Sequence, residues 1–130
     1  FEMKALIINP ESPYIKGLIN GQSNISTAAI NASIAAADNL KHHDLYKFSF
    51  QMKQYDLPPI FHGFLINDNQ HLFLGFTEIE NGKLSGGKRP YIHLRNSGKM
   101  SNITSHYFDF FKHWFDYYWE KSNEVVNVRK

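Results

Sequence analysis

The alternation of apolar and polar residues predicts five strands along the chain. Residues 3–8 form a short apolar run, which is typical of a buried strand. Residues 45–53 alternate strictly, as expected for a strand with one exposed face. Residues 60–67 and 71–78 are two further apolar segments joined by a short polar turn, so we expect an antiparallel hairpin. A last short strand is predicted over 91–95.

Two longer segments carry helical periodicity. Residues 108–119 repeat large aromatic side chains every three or four positions, with charged residues between them, which predicts an amphipathic helix packed on the core. Residues 24–41 are rich in alanine and isoleucine, and Ser and Thr near the start can cap a helix. Its apolar residues recur at helical spacing and form a stripe made of Ile25, Ala28, Ala29, Ala32, Ala36 and Leu40. The small alanines of this stripe are expected to let the helix lie close to its neighbour.

These elements predict one α/β domain, in which helices pack on a mixed sheet in the order β-α-β-β-β-β-α. The domain is expected to span residues 1–122, and residues 123–130 form a tail with nothing to anchor it. A hydrophobic content of 42% and an aromatic content of 15% exclude a disordered chain. Because the chain starts on Phe1, directly before a strand pattern, we expect it to be excised from a longer protein.

Composition also excludes several kinds of chemistry. The chain has no cysteine, so structural disulfides, thiolate metal ligands and cysteine catalysis are ruled out. A net charge of +2 is too small to indicate direct nucleic-acid binding. Because neither a membrane-spanning apolar run nor a signal-peptide pattern is present, we expect no membrane association and a cytoplasmic location.

His62 is a candidate functional residue within the predicted strand 60–67. Alternation places it on the same face as Phe64 and Ile66. A histidine there is either a hydrogen-bonded core residue or the floor of a site, where it would act as a nucleophile or contact a phosphate. One histidine without a neighbouring base makes no complete catalytic mechanism.

A glycine-rich basic loop over residues 84–90 precedes the last strand. Its backbone amides, together with Lys88 and Arg89, suit an anionic ligand. The loop lacks the spacing of a phosphate-binding P-loop, so a solvated connection is the alternative. His93 and Arg95 share one face of the following strand, where they either extend the basic lining or face solvent at a sheet edge.

Other residue patterns predict no metal site and no cofactor. His42 and His43 are adjacent and point in different directions on a helix. His106 and His113 share a helical face, but no third ligand completes a metal set. The aromatic residues of the last helix suggest a nucleic-acid stacking platform, yet their helical period favours the core or a dimer interface.

Three stretches together resemble the phospholipase D-like domains attached to bacterial regulatory and signalling proteins. Residues 5–13 end a strand in an asparagine-proline loop, residues 55–68 run through a central strand into an acidic turn, and residues 107–120 end a helix in Trp-Glu. The resemblance covers most of the chain. It implies half of a bilobal enzyme, a fold whose active sites form between two copies, so a homodimer is expected.

The resemblance also implies that the catalytic motif is degenerate. Active members of the wider superfamily carry His-x-Lys followed five residues later by Asp. Here His62 matches the histidine, but Phe64 stands in place of the lysine. Asn69 stands in place of the aspartate, and Asp68 lies one residue early. Because the missing cation would stabilise the phosphorane-like transition state, the resemblance favours a domain without phosphodiesterase activity.

The implied function is a non-catalytic sensor or interaction domain that pairs with itself and regulates an attached effector or DNA-binding module. An anionic ligand such as a nucleotide is expected near Asn9, Ser12, His62, Lys88, Arg89, His93 and Arg95. One alternative is a divergent phosphodiesterase or nuclease that uses His62 from two chains, with Lys88 or Arg89 replacing the missing lysine. The other is a structural dimerisation module driven by the aromatic helix, through Trp114 or Phe115.

Overall fold

The described part of the chain contains eight strands and three α-helices. A computed structural model describes residues 1–16, 27–43, 47–68, 70–81, 83–85, 90–96 and 103–130. In chain order the elements are β1 (Glu2–Ile8), α1 (Pro13–Lys16), α2 (Thr27–Asp38), a 3₁₀ turn (Asn39–His42), β2 (Ser49–Tyr55), β3 (Phe61–Ile66), β4 (His71–Phe76), β5 (Glu78–Glu80), β6 (Lys83–Ser85), β7 (Ile92–Arg95), α3 (Ile103–Glu120) and β8 (Asn123–Arg129).

Six strands form one mixed sheet in the order β7-β4-β3-β1-β2-β8. The neighbouring strands β1 and β2 are parallel, and the other neighbouring pairs are antiparallel. The strands β5 and β6 pair with each other in a separate hairpin. The architecture confirms the predicted α/β class, with helices packed on a mixed sheet. Over the described ranges, no helix has both the length and the apolar character needed to cross a membrane.

The helix α3 covers one face of the sheet. Phe108 and Phe115 are fully buried, and Tyr118 packs between Tyr55 and Phe61, with ring centroids 5.0 Å and 4.7 Å away. The Tyr118 hydroxyl donates to the carbonyl oxygen of Pro58 at 2.8 Å, which satisfies its polar end. The predicted packing of the aromatic helix on the core is confirmed.

The helix α2 and the 3₁₀ turn after it pack on the opposite face, where Leu40 of the predicted stripe does join the apolar cluster, but the predicted alanines do not. Ala37 is buried and Ile34 is half-buried against a cluster that includes Phe50 and Met52. The alanines that the sequence assigned to the contact stripe are exposed, namely Ala28, Ala29, Ala32 and Ala36. The larger aliphatic side chains face the sheet because they bury more apolar surface than alanine does. The predicted residue Ile25 lies outside the described residues.

The hairpin of β3 and β4 forms as predicted. Their register pairs Phe61 with Phe76 and Ile66 with His71, which leaves a four-residue loop. Asn67 in that loop has a φ of 50°, a left-handed conformation that asparagine tolerates. Its side-chain oxygen accepts a hydrogen bond from the backbone amide of Glu2 at 2.9 Å, which ties the loop to the start of β1.

Residues 123–130 are not a frayed tail, and that prediction is wrong. Most of this segment forms β8, which pairs with β2 and makes one edge of the sheet. Val126 and Val128 are buried beside Phe50 and Met52, whereas Val125 is exposed. Because side chains alternate along a strand, two of the three valines in this segment face the core and anchor it. The position of the segment at the end of the sequence did not indicate this anchor.

Candidate ligand-binding face

The face of the sheet that carries α2 continues across β3, β4 and β7, where none of the described helices covers it. The registers pair His62 with Gly75 and Phe73 with both Phe64 and His93, so alternate residues of three strands lie side by side. We call this surface the histidine face. It consists of His62, Phe64, Ile66, His71, Phe73, Gly75, Tyr91, His93 and Arg95.

The middle of the histidine face is an aromatic stack. The rings of Phe73 and His93 are 4.3 Å apart between centroids, and their planes differ by 4°. Nδ1 of His71 and Nε2 of His93 lie 3.0 Å apart, so one ring donates its N–H to the other in a hydrogen bond. This contact orients the exposed His93 ring. Within the described ranges, no three His, Asp or Glu side chains come together to hold a metal ion.

His62 lies at one end of the histidine face, above a glycine. A Cβ atom at Gly75 would lie 2.7 Å from Cε1 and Nε2 of His62 and 3.0 Å from Cε1 of Tyr91. The His62 and Tyr91 rings meet edge to face, with centroids 5.3 Å apart and an interplanar angle of 81°. Glycine at position 75 therefore leaves the space that both rings occupy.

Burial lowers the pKa of His62 below its usual value of 6.5, because the charged imidazolium loses hydration. None of the described side chains forms a hydrogen bond or ion pair with this ring to offset that loss. His62 is therefore neutral at pH 7. A neutral imidazole keeps one lone pair and one N–H, so it can both accept and donate a hydrogen bond.

The stability of the domain is expected to fall as the pH drops below 6.5. The folded pKa of His62 is lowered, so in this range the unfolded chain binds more protons than the folded domain. Urea denaturation between pH 7 and pH 5 measures how steeply the free energy of unfolding changes with pH. This pH dependence should be smaller in His62→Phe than in the wild type, and His42→Phe, which replaces an exposed histidine, is the control variant. Equal slopes in the wild type and His62→Phe would contradict the burial of a neutral His62.

Asn9 and Ser12 build the turn after β1. The Asn9 side-chain amide donates to Oδ1 of Asp56 at 2.9 Å, and its oxygen accepts from the backbone amide of Glu11 at 3.0 Å. Ser12 is fully buried, and its own amide donates to the Asn9 carbonyl at 2.9 Å. These two predicted ligand contacts are therefore engaged in holding the turn, and Ser12 is not accessible to a ligand.

The other predicted residues divide between the two ends of the histidine face. His62 lies opposite Gly75, whereas Arg95 lies opposite His71, which precedes Gly75 by four residues on β4. At about 3.3 Å per residue, roughly 13 Å separates these two levels. His93 lies between them on β7. The predicted contacts Lys88 and Arg89 lie outside the described residues, as does Asn69 of the degenerate motif.

Sequence reasoning missed four members of the histidine face, namely His71, Phe73, Gly75 and Tyr91. The first two share the alternation of β4 with Gly75, so the period was visible in the sequence. Their position beside His93 depends on the pairing of β4 with β7, which are separated along the chain by the β5–β6 hairpin. Such non-local pairing leaves no signal in a single strand pattern.

Comparisons with known proteins found no match for the chain. No protein-family model matches it. Neither a curated protein nor a solved structure matches it. A functional hypothesis therefore depends on the chemistry of the histidine face.

Proposed function

We propose that this chain is a non-catalytic, phospholipase D-like binding domain that takes up a flat anionic ligand, such as a nucleotide, on the histidine face. As a cytoplasmic homodimer it would pass that binding event to an attached effector or DNA-binding module. The observation that supports this proposal is the position of the exposed residues His93 and Arg95 on one strand, beside the aromatic ring of Phe73.

The aromatic part of the histidine face suits a planar group. Tyr91 is 40% exposed, and His93 is exposed with its ring held parallel to Phe73. Nucleobases stack on such rings with about 1–3 kcal/mol per base, whatever the base. The rings are held by contacts with one another, so little conformational entropy is lost when a base stacks on them.

The polar part of the histidine face suits an anion. Arg95 is exposed at the level of His71, and the guanidinium group binds phosphate oxygens through two parallel N–H bonds. None of the residues that form the histidine face is acidic. A phosphate held by Arg95 lies within reach of a base stacked near His93, because the two residues are two positions apart on one strand face.

The surroundings of His62 favour binding over catalysis. Phe64, at the position of the superfamily lysine, packs against Tyr91 with ring centroids 5.5 Å apart. An apolar ring cannot stabilise the charge of a phosphoryl transition state. His62 is neutral and held against Tyr91, which suits a ligand hydrogen bond.

A thermal-shift titration tests the proposal with AMP, adenosine and inorganic phosphate as probes. AMP at about 100 times its dissociation constant should stabilise the domain by about 2.7 kcal/mol, which raises Tm by several degrees. Adenosine can use only the aromatic part of the histidine face and phosphate only the polar part, so each should bind more weakly than AMP. Arg95→Ala and His93→Ala should remove the AMP shift, whereas Arg129→Ala, an exposed arginine on β8, should keep it.

Two results would count against the proposal. An absence of any shift with AMP, or a shift that survives both Arg95→Ala and His93→Ala, would exclude the histidine face as the nucleotide site. Hydrolysis of a phosphodiester by the wild type that is lost in His62→Ala would instead support the divergent phosphodiesterase.

A further inference from the structure

The helix α3 carries a second apolar stripe on the side that faces away from the core. Its members recur at alternating intervals of four and three residues, and each is between 45% and 69% exposed. They are Ile103, Tyr107, Phe110, Trp114 and Tyr117. We call this surface the outer stripe. The core contacts of α3 use Phe108, Phe115 and Tyr118, and the residues of the outer stripe lie outside that core cluster.

The size of the outer stripe is unusual for a surface that stays in water. A row of one aliphatic and four aromatic side chains forms a continuous apolar patch, and patches of this kind mark interaction sites. Phe110, His113, Trp114 and Tyr117 line a shallow groove of about 440 Å³ along the helix. A groove of this shape accepts side chains from another helix.

We infer that the outer stripe pairs with the outer stripe of a second copy of this chain, with the two helices antiparallel. The spacing of four and three residues is that of the a and d positions of a heptad. A helix with this spacing is complementary to another copy of itself, because the knobs of one stripe enter the holes of the other. This inference names the self-association surface of the proposed function and does not depend on ligand binding.

The area of the outer stripe is sufficient for a specific dimer. Aromatic side chains offer roughly 150–250 Å² each. At about half exposure, the outer stripe presents roughly 500 Å² per copy, so a two-fold pair would bury about 1,000 Å², the lower bound for a specific interface. Flanking side chains of α3 would add to this area.

Hydrogen-bonding partners favour the antiparallel direction. On the open flank of the outer stripe, His106, His113 and Glu120 follow one another at intervals of seven residues, so they occupy one heptad position. In an antiparallel pair, His106 lies beside Glu120 of the second copy, and His113 meets its own equivalent at the two-fold axis. A parallel pair gives Glu120 no histidine neighbour on this flank. Antiparallel helix dipoles also attract one another.

Pairing through α3 would keep the two histidine faces apart. The helix lies on one side of the sheet, and the histidine face lies on the other. The dimer would therefore present two separate ligand sites on its outer surfaces. A catalytic site that combines His62 of both chains would not form at this interface.

Sedimentation velocity over the micromolar-to-millimolar range tests the pairing. The wild-type chain should show a concentration-dependent dimer, and Trp114→Asp should weaken dimerisation at least about tenfold. The control is Ile79→Asp on β5, which changes a residue that is 77% exposed and should leave the dimer unchanged. Circular dichroism shows whether each variant is folded. A wild type that stays monomeric at every concentration would overturn the inference, whatever else the outer stripe binds.

Cysteine crosslinking tests the direction of the pair and keeps the outer stripe intact. Because the chain has no cysteine, each introduced thiol is unique. With a short bifunctional thiol reagent, His113→Cys should crosslink to itself, and His106→Cys should crosslink to Glu120→Cys in a mixture of the two variants. Efficient crosslinking of His106→Cys to itself would overturn the antiparallel arrangement. AMP binding is scored separately on monomeric Trp114→Asp, so failure of either proposal leaves the other testable.

Discussion

Replacing Phe115 by alanine is expected to lower the free energy of unfolding by about 3–5 kcal/mol. Phe115 is fully buried between α3 and the sheet, with its ring stacked 5.9 Å from Trp119. Truncation would leave a cavity that the surrounding strands cannot fill. Such a loss is a large fraction of the stability of a domain this size.

The adjacent residue Trp114 is the matched control for Phe115. Trp114 is 45% exposed and belongs to the outer stripe. In urea denaturation of dilute protein, Trp114→Ala should cost less than about 1 kcal/mol. Equal losses for the two variants would contradict the orientation of α3. The comparison also separates the dimerisation hypothesis from core packing, because only Trp114 is placed to contact a second copy.

Replacing Val126 by aspartate is expected to destabilise the domain by about 4 kcal/mol or more, because it buries a carboxylate. Val126 is 3% exposed and lies opposite Met52 in the register of β8 with β2. Charge at this position would disrupt the apolar cluster beneath α2.

Val125→Asp is the control for Val126→Asp because Val125 is the neighbouring valine and is 37% exposed. It should change the free energy of unfolding by about 0.5 kcal/mol or less. Thermal denaturation of both variants measures the difference. If Val126→Asp has the same melting temperature as Val125→Asp and the wild type, then residues 123–130 are not part of the sheet.

Local periodicity explains which parts of the fold the sequence revealed. The buried stripe of α3 was predictable because Phe108 and Phe115 are large and recur with the helical period. The β3–β4 hairpin was predictable because two alternating strands flank a polar loop. On α2 the alanines were assigned to the wrong face, because a side chain this small buries little apolar surface and marks a helix face only weakly.

Non-local pairing explains what the sequence did not reveal. Nothing in residues 123–130 indicates that they pair with β2, 69 to 80 positions earlier in the chain. The shared face of His93 and Arg95 was predictable from one strand, whereas their proximity to His71 needed the pairing of β4 with β7. Asn9 and Ser12 were chosen for their position after a strand, but hydrogen bonds within the turn engage both.

Nitrogen-detected NMR of the histidine side chains during an AMP titration tests the binding proposal most directly. Seven histidines give separate signals, and three of them, His62, His71 and His93, lie on the histidine face. We expect AMP to shift the ring signals of His71 and His93 most, to shift His62 less, and to leave His42 and His106 unchanged. AMP that shifts none of the three, or that shifts His106 alone, would contradict a nucleotide site on the histidine face.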